Sequence, residues 1–182
     1  MNKEEGRKKV KKLAVSFFGK SPVIVAEKLL GKFLVRKHAG KGIAYMITET
    51  EAYSGEEDLA CHASKGRTIR TETLYGEPAH FYIYLCYGMH YMLNIVTSSK
   101  GHPSAVLIRA LEGIVGPGRV TKSLEISKNL NGKEASAKSG YWFEDRGVKI
   151  DKKSILKTSR IGVEYAGPVW SKKPWRFIVD TT

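Results

Sequence analysis

The chain has 182 residues, of which 42% are hydrophobic and 10% aromatic, and this composition is typical of one globular domain rather than of a disordered chain. No run approaches the ~18 consecutive apolar residues of a membrane-spanning helix, so we expect a cytoplasmic protein, nucleoid-associated if bacterial, with no membrane partner. Its 31 Lys and Arg against 18 Asp and Glu give a net charge of +13, which favours polyanionic partners such as nucleic acids.

The chain begins with a lysine-rich segment, which we interpret as a basic and flexible tail over residues 1–20. Its apolar stretch is too short for a signal peptide. Ser21 and Pro22 are typical of a helix start and Gly31 of a helix stop, which predicts a helix over residues 22–30. We expect a single domain over residues 21–182, and we expect the protein to be a monomer.

The remaining elements are mostly strands. Residues 32–53 predict two strands joined by a turn at 39–42, and residues 54–80 predict a long loop of the kind that is usually functional. A hairpin is predicted over 81–97, with its turn at Tyr87-Gly88-Met89. The rest of the chain predicts strands at 104–111, 141–145, 148–151, 155–167 and 175–180 and a helix near 117–129. This order indicates an α+β fold with a mostly antiparallel sheet and flanking helices.

An acidic cluster follows the second strand of this basic chain. With a period of two, Ile47, Glu49 and Glu51 share one face, so both carboxylates would stand at the rim of an apolar core. A carboxylate partly withdrawn from water is suited to general acid or base chemistry. The alternative is a strand end with two ordinary surface glutamates, and the pattern does not choose between Glu49 and Glu51.

The hairpin concentrates aromatic residues. Tyr82 and Tyr84 share one face of its first strand and Phe81 and Ile83 the other, so one of the two sets must face solvent or a cavity. Tyr87 at the turn could wedge between bases, or it could be a tolerated turn residue that packs locally.

Four further residues leave alternatives open. Asn94 interrupts an apolar strand and would either read a base edge or satisfy a loop carbonyl, because a buried amide must be hydrogen-bonded. Arg109 ends an apolar run and would pair with a carboxylate or phosphate, or extend along the surface. Cys61 and Cys86 lack disulfide-framework and zinc-finger spacing, so we interpret them as reduced thiols rather than metal ligands.

The basic charge, the carboxylates at the core rim, the aromatic hairpin with its tyrosine turn, and the Asn94 and Arg109 side chains together suggest chemistry on a base extruded from DNA.

Several segments resemble a known family. They are LLGKFLVR, ITETEAYSGEEDLACHAS, RTETLYGEPAHFYIYLCYGMHYMLNIVT, AVLIRALE, GPG and SRIGVEYAG with KPWRFIV. In this order, from about residue 22 to the C-terminus, they resemble the alkyladenine (3-methyladenine) DNA glycosylase family. The chain departs from it at Tyr75 and Ala79, where the family more often has Phe and Gly.

The resemblance implies a single-domain enzyme with a curved antiparallel sheet and a protruding β-hairpin that inserts into DNA. Such a monofunctional glycosylase of base excision repair flips alkylated or deaminated purines from double-stranded DNA. It hydrolyses the N-glycosidic bond of 3-methyladenine, 7-methylguanine or hypoxanthine without a metal or cofactor, leaving abasic sites. A nucleic-acid-binding module and a hydrolase of free nucleosides are the rival functions, and neither would release bases from duplex DNA.

The resemblance also assigns roles to individual residues. It implies that Glu51 is the catalytic base and that Arg109 is its partner in holding the attacking water. The implied walls of the base pocket are Tyr53, His62, Tyr84, Asn94 and Leu107. Tyr87 would intercalate into DNA in place of the flipped nucleotide. The other acids of the cluster, Glu56, Glu57 and Asp58, are then interpreted as loop charges, and Glu49 is left without a role.

Overall fold

The computed structural model describes residues 10–179. Its strands are β1 (Lys11–Lys12), β2 (Phe33–His38), β3 (Lys41–Ser54), β4 (Phe81–Cys86), β5 (His90–Val96), β6 (Ser104–Leu111), β7 (Ile114–Val115), β8 (Tyr141–Asp145), β9 (Ile155–Thr158) and β10 (Arg176–Val179). They form one antiparallel sheet with the main order β1-β8-β2-β3-β6-β5-β4, while β7 pairs with β6, β10 with β3, and β9 with β10. The predicted α+β fold, the predominantly antiparallel sheet and the hairpin over β4 and β5 are confirmed.

Helices are few and short. They are α1 (Val15–Phe18), α2 (Pro22–Leu29), α3 (Pro117–Ser123) and α4 (Gly167–Trp170), with 3-10 turns at His62–Lys65, Glu72–Tyr75, Lys128–Leu130, Lys152–Ser154 and Glu164–Ala166. Within residues 10–179, no helix has the length and apolar character needed to cross a membrane. Helix α2 packs on β3, where the Thr50 hydroxyl donates to the Ala26 carbonyl oxygen at 2.9 Å. The main hydrophobic core lies between this helix and the sheet.

A β-bulge in β3 corrects the predicted arrangement of faces. Ile47 pairs with Leu111 and Glu49 with Ala110, so β3 has one extra residue at this step, and β6 has one extra residue at the next, where Thr50 pairs with Ile108. The regular in-out alternation is therefore interrupted on both strands between Ile47 and Thr50. Ile47 and Ala52 both lie in the main core, and Thr50 faces α2, so Glu49 and Glu51 point away from that core. The prediction that they continue the face of Ile47 was therefore wrong.

Three local predictions also fail. Helix α3 ends at Ser123 rather than near 129, because Glu125 adopts a φ of +52° that no α-helix can continue. Residues 148–151 form no strand, and the strand predicted over 155–167 is limited to β9. After β9 the chain turns inward at Arg160, which is buried, instead of remaining in the sheet.

The predicted flexible tail over residues 1–20 lies partly outside the described residues. Its described part is packed against the domain: β1 pairs with β8, and Phe18 of α1 is buried in the main core. An aromatic side chain buried on a core favours a fixed backbone. The folded domain thus begins before residue 21, and the boundary expected from composition was placed too late.

Candidate active site

A cavity of about 510 Å³ opens on the face of the sheet opposite α2. Its walls come from β3, the hairpin, β6, the 3-10 turn after Cys61 and the segment that follows β9. The predicted site residues found in its lining are Tyr53, His62, Tyr84, Tyr87, Asn94, Leu107 and Arg109. The volume falls within the range of about 300–1,000 Å³ common for small-molecule pockets. Residues far apart in sequence are therefore assembled around one space.

The alternation of the hairpin strand explains the aromatic wall. Phe81 and Ile83 of β4 are buried in the main core, whereas Tyr82 and Tyr84 face the cavity. This is the split that period two predicted, and its second set faces a cavity rather than bulk solvent. Burial raises the pKa of Tyr82 to about 12 and raises that of Tyr84 further, so both phenols remain neutral at physiological pH.

Glu51 lies directly behind this cavity, with its side chain fully shielded from solvent. One carboxylate oxygen accepts hydrogen bonds from the Tyr53 hydroxyl at 2.8 Å and from Arg109 Nη1 at 3.3 Å. The other accepts from the backbone N–H of Ile161 at 2.8 Å. Because Tyr53, Arg109 and Ile161 all line the cavity, the carboxylate is connected to it through these three partners.

Glu49, which had no predicted role, holds two arginines. Its Oε1 atom accepts from Arg109 Nε at 2.8 Å and from Arg176 Nε at 2.6 Å. Both arginines come from strands that flank β3, since Arg109 lies on β6 and Arg176 on β10. Glu49 thereby fixes the side of Arg109 that does not face Glu51. Sequence spacing alone offered no signal for this bridge.

His62 is held against the hairpin. Its Nδ1 atom lies 2.9 Å from the Tyr82 hydroxyl, and its ring is 4.5 Å from that of Tyr84 in an edge-to-face arrangement. Burial, with a smaller effect of the Arg70 charge, lowers the pKa of His62 from 6.5 to about 4. The imidazole is therefore neutral at physiological pH and presents one donor and one acceptor nitrogen.

The buried Asn94 amide is hydrogen-bonded, but to carbonyls of the hairpin strands rather than to a loop carbonyl. It is buried, and its Nδ2 atom donates to the carbonyl oxygens of Tyr82 at 3.2 Å and Met92 at 3.4 Å. It also lines the cavity beside Leu107, its neighbour across the β5–β6 pair. The amide is thus fixed in orientation by the hairpin backbone while it remains in contact with the space where a ligand would lie.

Tyr87 projects from the rim of the cavity, with 88% of its surface exposed. Tyr87 and Gly88 have φ angles of +49° and +67°, and the Met89 N–H donates to the Cys86 carbonyl oxygen, as in a type I′ turn. A tyrosine in this left-handed region costs about 1 kcal/mol relative to glycine. The positive φ angles follow from the type I′ turn, which leaves the Tyr87 side chain exposed at the tip of the hairpin.

A buried ion pair behind Tyr53 was missed by the sequence analysis. Asp58 is fully buried and forms a bidentate pair with Arg160, at 2.5 and 2.9 Å, so its interpretation as a loop charge was wrong. The guanidinium carbon of Arg160 lies 4.8 Å from the centre of the Tyr53 ring and 5.1 Å from that of Trp175. No local sequence pattern pointed to this pair, because Asp58 and Arg160 are 102 positions apart in the chain.

The two departures from the family pattern have local explanations. Ala79 adopts a φ of +65°, the left-handed region that glycine occupies at no steric cost. Tyr75 is buried, and its hydroxyl donates to Glu56 at 2.5 Å. Ala79 thus carries some backbone strain, and Tyr75 adds a hydrogen bond to Glu56 in the loop that follows β3.

The cysteines are free thiols. Cys61 is buried, which raises the pKa of its thiol to about 12, and Cys86 is half-buried at the end of β4. Across residues 10–179, no three His, Cys, Asp or Glu side chains are grouped so that they could hold a metal ion.

Comparison with known proteins identifies the family. The family model for methylpurine-DNA glycosylase (MPG) matches residues 16–116 and 113–182. A relative from Methanocella arvoryzae is 42% identical over 88% of this chain and 88% of its own, and one from Legionella pneumophila (strain Lens) is 40% identical over 93% and 95%. A relative from Desulfitobacterium hafniense is 36% identical over 94% and 96%. All three carry the provisional name 3-methyladenine DNA glycosylase. The chain therefore belongs to the methylpurine-DNA glycosylase family, a family of DNA N-glycosylases.

Proposed function

We propose that this protein flips alkylated and deaminated purines out of double-stranded DNA and hydrolyses their N-glycosidic bonds, leaving abasic sites. The substrates are 3-methyladenine, 7-methylguanine and hypoxanthine, and the enzyme acts as a monomer. The observation that carries the proposal is the buried Glu51 carboxylate connected, through Tyr53 and Arg109, to an aromatic-lined cavity of about 510 Å³.

Glu51 is the general base of the proposed reaction. Water attacks C1′ of the sugar as the bond to the purine breaks, the bonding electrons leave with the purine, and Glu51 accepts the proton of the water. The carboxylate also stabilises the positive charge that develops on the sugar. A cationic alkylated purine departs as a neutral molecule, which makes it a good leaving group.

The water enters between Arg109 and Glu51. Their contact of 3.3 Å is the longest of the three hydrogen bonds to the carboxylate, and we place the water there because both groups can hydrogen-bond to it. Catalytic hydrogen bonds are often long in free enzymes and tighten in the reacting complex. Because Glu49 holds Arg109 from its other side, the guanidinium keeps its place when the water is inserted.

The aromatic side chains bind the flipped base. Tyr53, His62 and Tyr84 provide ring faces and edges that favour an electron-poor purine. Asn94 contacts the purine edge and discriminates against the exocyclic amine of guanine, and Leu107 closes the apolar wall. Tyr87 occupies the gap left in the duplex.

The decisive experiment is an assay for abasic sites. Duplexes that contain 7-methylguanine or hypoxanthine are incubated with the wild-type protein and with Glu51→Gln. We expect the wild type to release the base and Glu51→Gln to bind the duplex without releasing it. The matched control is Glu144→Gln on β8, which removes another buried carboxylate that is bound to Trp142 and Arg146 rather than to the cavity. Base release by Glu51→Gln at the wild-type rate would contradict the assignment of Glu51 as the general base. If the wild type releases neither base, the proposed glycosylase function is refuted.

A further inference from the structure

A buried cation, Arg160, lies behind the Tyr53 ring. Under the proposed function, a positively charged base binds on the other side of that ring. Tyr53 lines the cavity, whereas Arg160 does not and its side chain is completely buried. The guanidinium therefore contacts Tyr53 from the protein side, 4.8 Å from the ring centre. A base that stacks on the cavity side of Tyr53 lies one aromatic ring away from a full positive charge.

Asp58 neutralises that charge. Its two oxygens each accept a hydrogen bond from Arg160, at 2.5 and 2.9 Å, and both groups are shielded from solvent. The carboxylate also accepts hydrogen bonds from the backbone N–H groups of Ser54 and Ala60. In a low-dielectric interior this pair presents a dipole, rather than a net charge, to the back of Tyr53.

The charge of Asp58 is felt at the cavity wall. It contributes to the raised pKa of Cys61 and of Tyr165, both of which line the cavity, although burial is the larger cause for each. The Arg160 charge acts in the opposite direction on the same two groups. The two charges thus act in opposite directions on these two groups of the cavity lining.

We propose that Asp58 is a specificity-determining residue, which allows the pocket to accept positively charged purines by neutralising Arg160 behind the Tyr53 ring. The inference rests on the proposed function and extends it to the choice among substrates. Alkylation at N3 or N7 makes a purine cationic, whereas hypoxanthine is neutral. A lone Arg160 cation would repel the first class and leave the second largely unaffected.

The ratio of excision rates isolates this effect. The sugar gains positive charge with either substrate, so its interaction with the pocket cancels in the ratio, and the remaining difference is one unit charge on the base. At an effective dielectric constant of about 20 and a separation of about 10 Å, one unit charge changes such a ratio on the order of tenfold. A merely structural role would slow both substrates together.

The test compares the wild type, Asp58→Asn and Arg160→Gln on duplexes of one sequence that contain 7-methylguanine or hypoxanthine. Single-turnover rates are measured at subsaturating protein and pH 8, and circular dichroism confirms that each variant is folded. We expect the 7-methylguanine to hypoxanthine ratio to fall about tenfold in Asp58→Asn. In Arg160→Gln, which keeps Asp58 on its two backbone donors, the ratio should rise.

Glu144→Gln is again the control and should leave the ratio unchanged, since that carboxylate lies on β8, separated from β3 by β2. If Asp58→Asn does not fold, the inference is tested by the sign of the change in the 7-methylguanine to hypoxanthine ratio of Arg160→Gln. A wild-type ratio in the folded variants, or a change of the opposite sign, overturns the inference. Failure of the wild type to release either base would instead refute the proposed function, so the two failures are distinguishable.

Discussion

Acidification should destabilise this protein through His62. The folded state lowers the pKa of His62 from 6.5 to about 4, chiefly because burial penalises the imidazolium. At pH values between about 4 and 6.5, His62 is protonated in the unfolded chain and neutral in the folded protein. The free energy of unfolding therefore falls as the pH decreases from about 6.5 to about 4, and this contribution is absent at pH 7.

The size of the effect follows from the two pKa values. A pKa lowered from 6.5 to about 4 corresponds to about 3 kcal/mol, which is fully lost only below the lower value. Many carboxylates titrate in the same interval, so the wild type alone cannot isolate the histidine. His62→Gln removes the titrating group and keeps a polar side chain that can reach the Tyr82 hydroxyl.

Urea unfolding of both proteins between pH 7.5 and pH 4 measures the effect. We expect the wild type to lose about 3 kcal/mol more than His62→Gln over this interval. An NMR titration of the His62 imidazole should give a midpoint near pH 4. A difference in the free energy of unfolding between the two proteins that does not change with pH, or an NMR midpoint near pH 6.5, would refute the reasoning that burial keeps the His62 ring neutral in the cavity wall.

Three other predictions concern binding and packing. Tyr87→Ala should weaken binding to a damaged duplex by about 1–3 kcal/mol, measured by fluorescence anisotropy, and an unchanged affinity would remove its wedge role. Phe81→Ala should lower the free energy of unfolding by about 3–5 kcal/mol in urea titrations, because Phe81 is fully buried in the main core; a loss below about 1 kcal/mol would contradict that burial. Duplex affinity should fall with salt at a log–log slope of about −0.9 per neutralised phosphate, and a slope near zero would contradict an electrostatic interface.

Regular alternation and turn chemistry made much of the sheet predictable. The hairpin over β4 and β5 was found because two β-rich runs flank a short turn, and period two separated the tyrosines from the core residues on β4. Helix α2 was found from its Ser-Pro start and glycine stop. Each of these signals depends on residues close together in sequence.

The predictions failed where a distant segment decided the conformation. The bulge after Ile47 depends on the register between β3 and β6, so period two on β3 alone placed Glu49 and Glu51 on the wrong face. The strand predicted over 155–167 has suitable residues but ends at Thr158, because Arg160 turns inward to its partner. Propensity is a weak prior when a buried ion pair competes with it.

The sequence by itself determined most of the long strands, the aromatic face of the hairpin and, through the motifs of its family, which residues to examine. Only the tertiary structure decided how the charges are arranged around the cavity. Glu49 joins arginines from two different strands, and Asp58 meets Arg160 across 102 positions of the chain. Local patterns record burial and alternation, whereas the pairing of buried charges depends on which strands become neighbours. Three members of the acidic cluster, Glu49, Glu51 and Asp58, are thus each paired with arginine beside the same cavity.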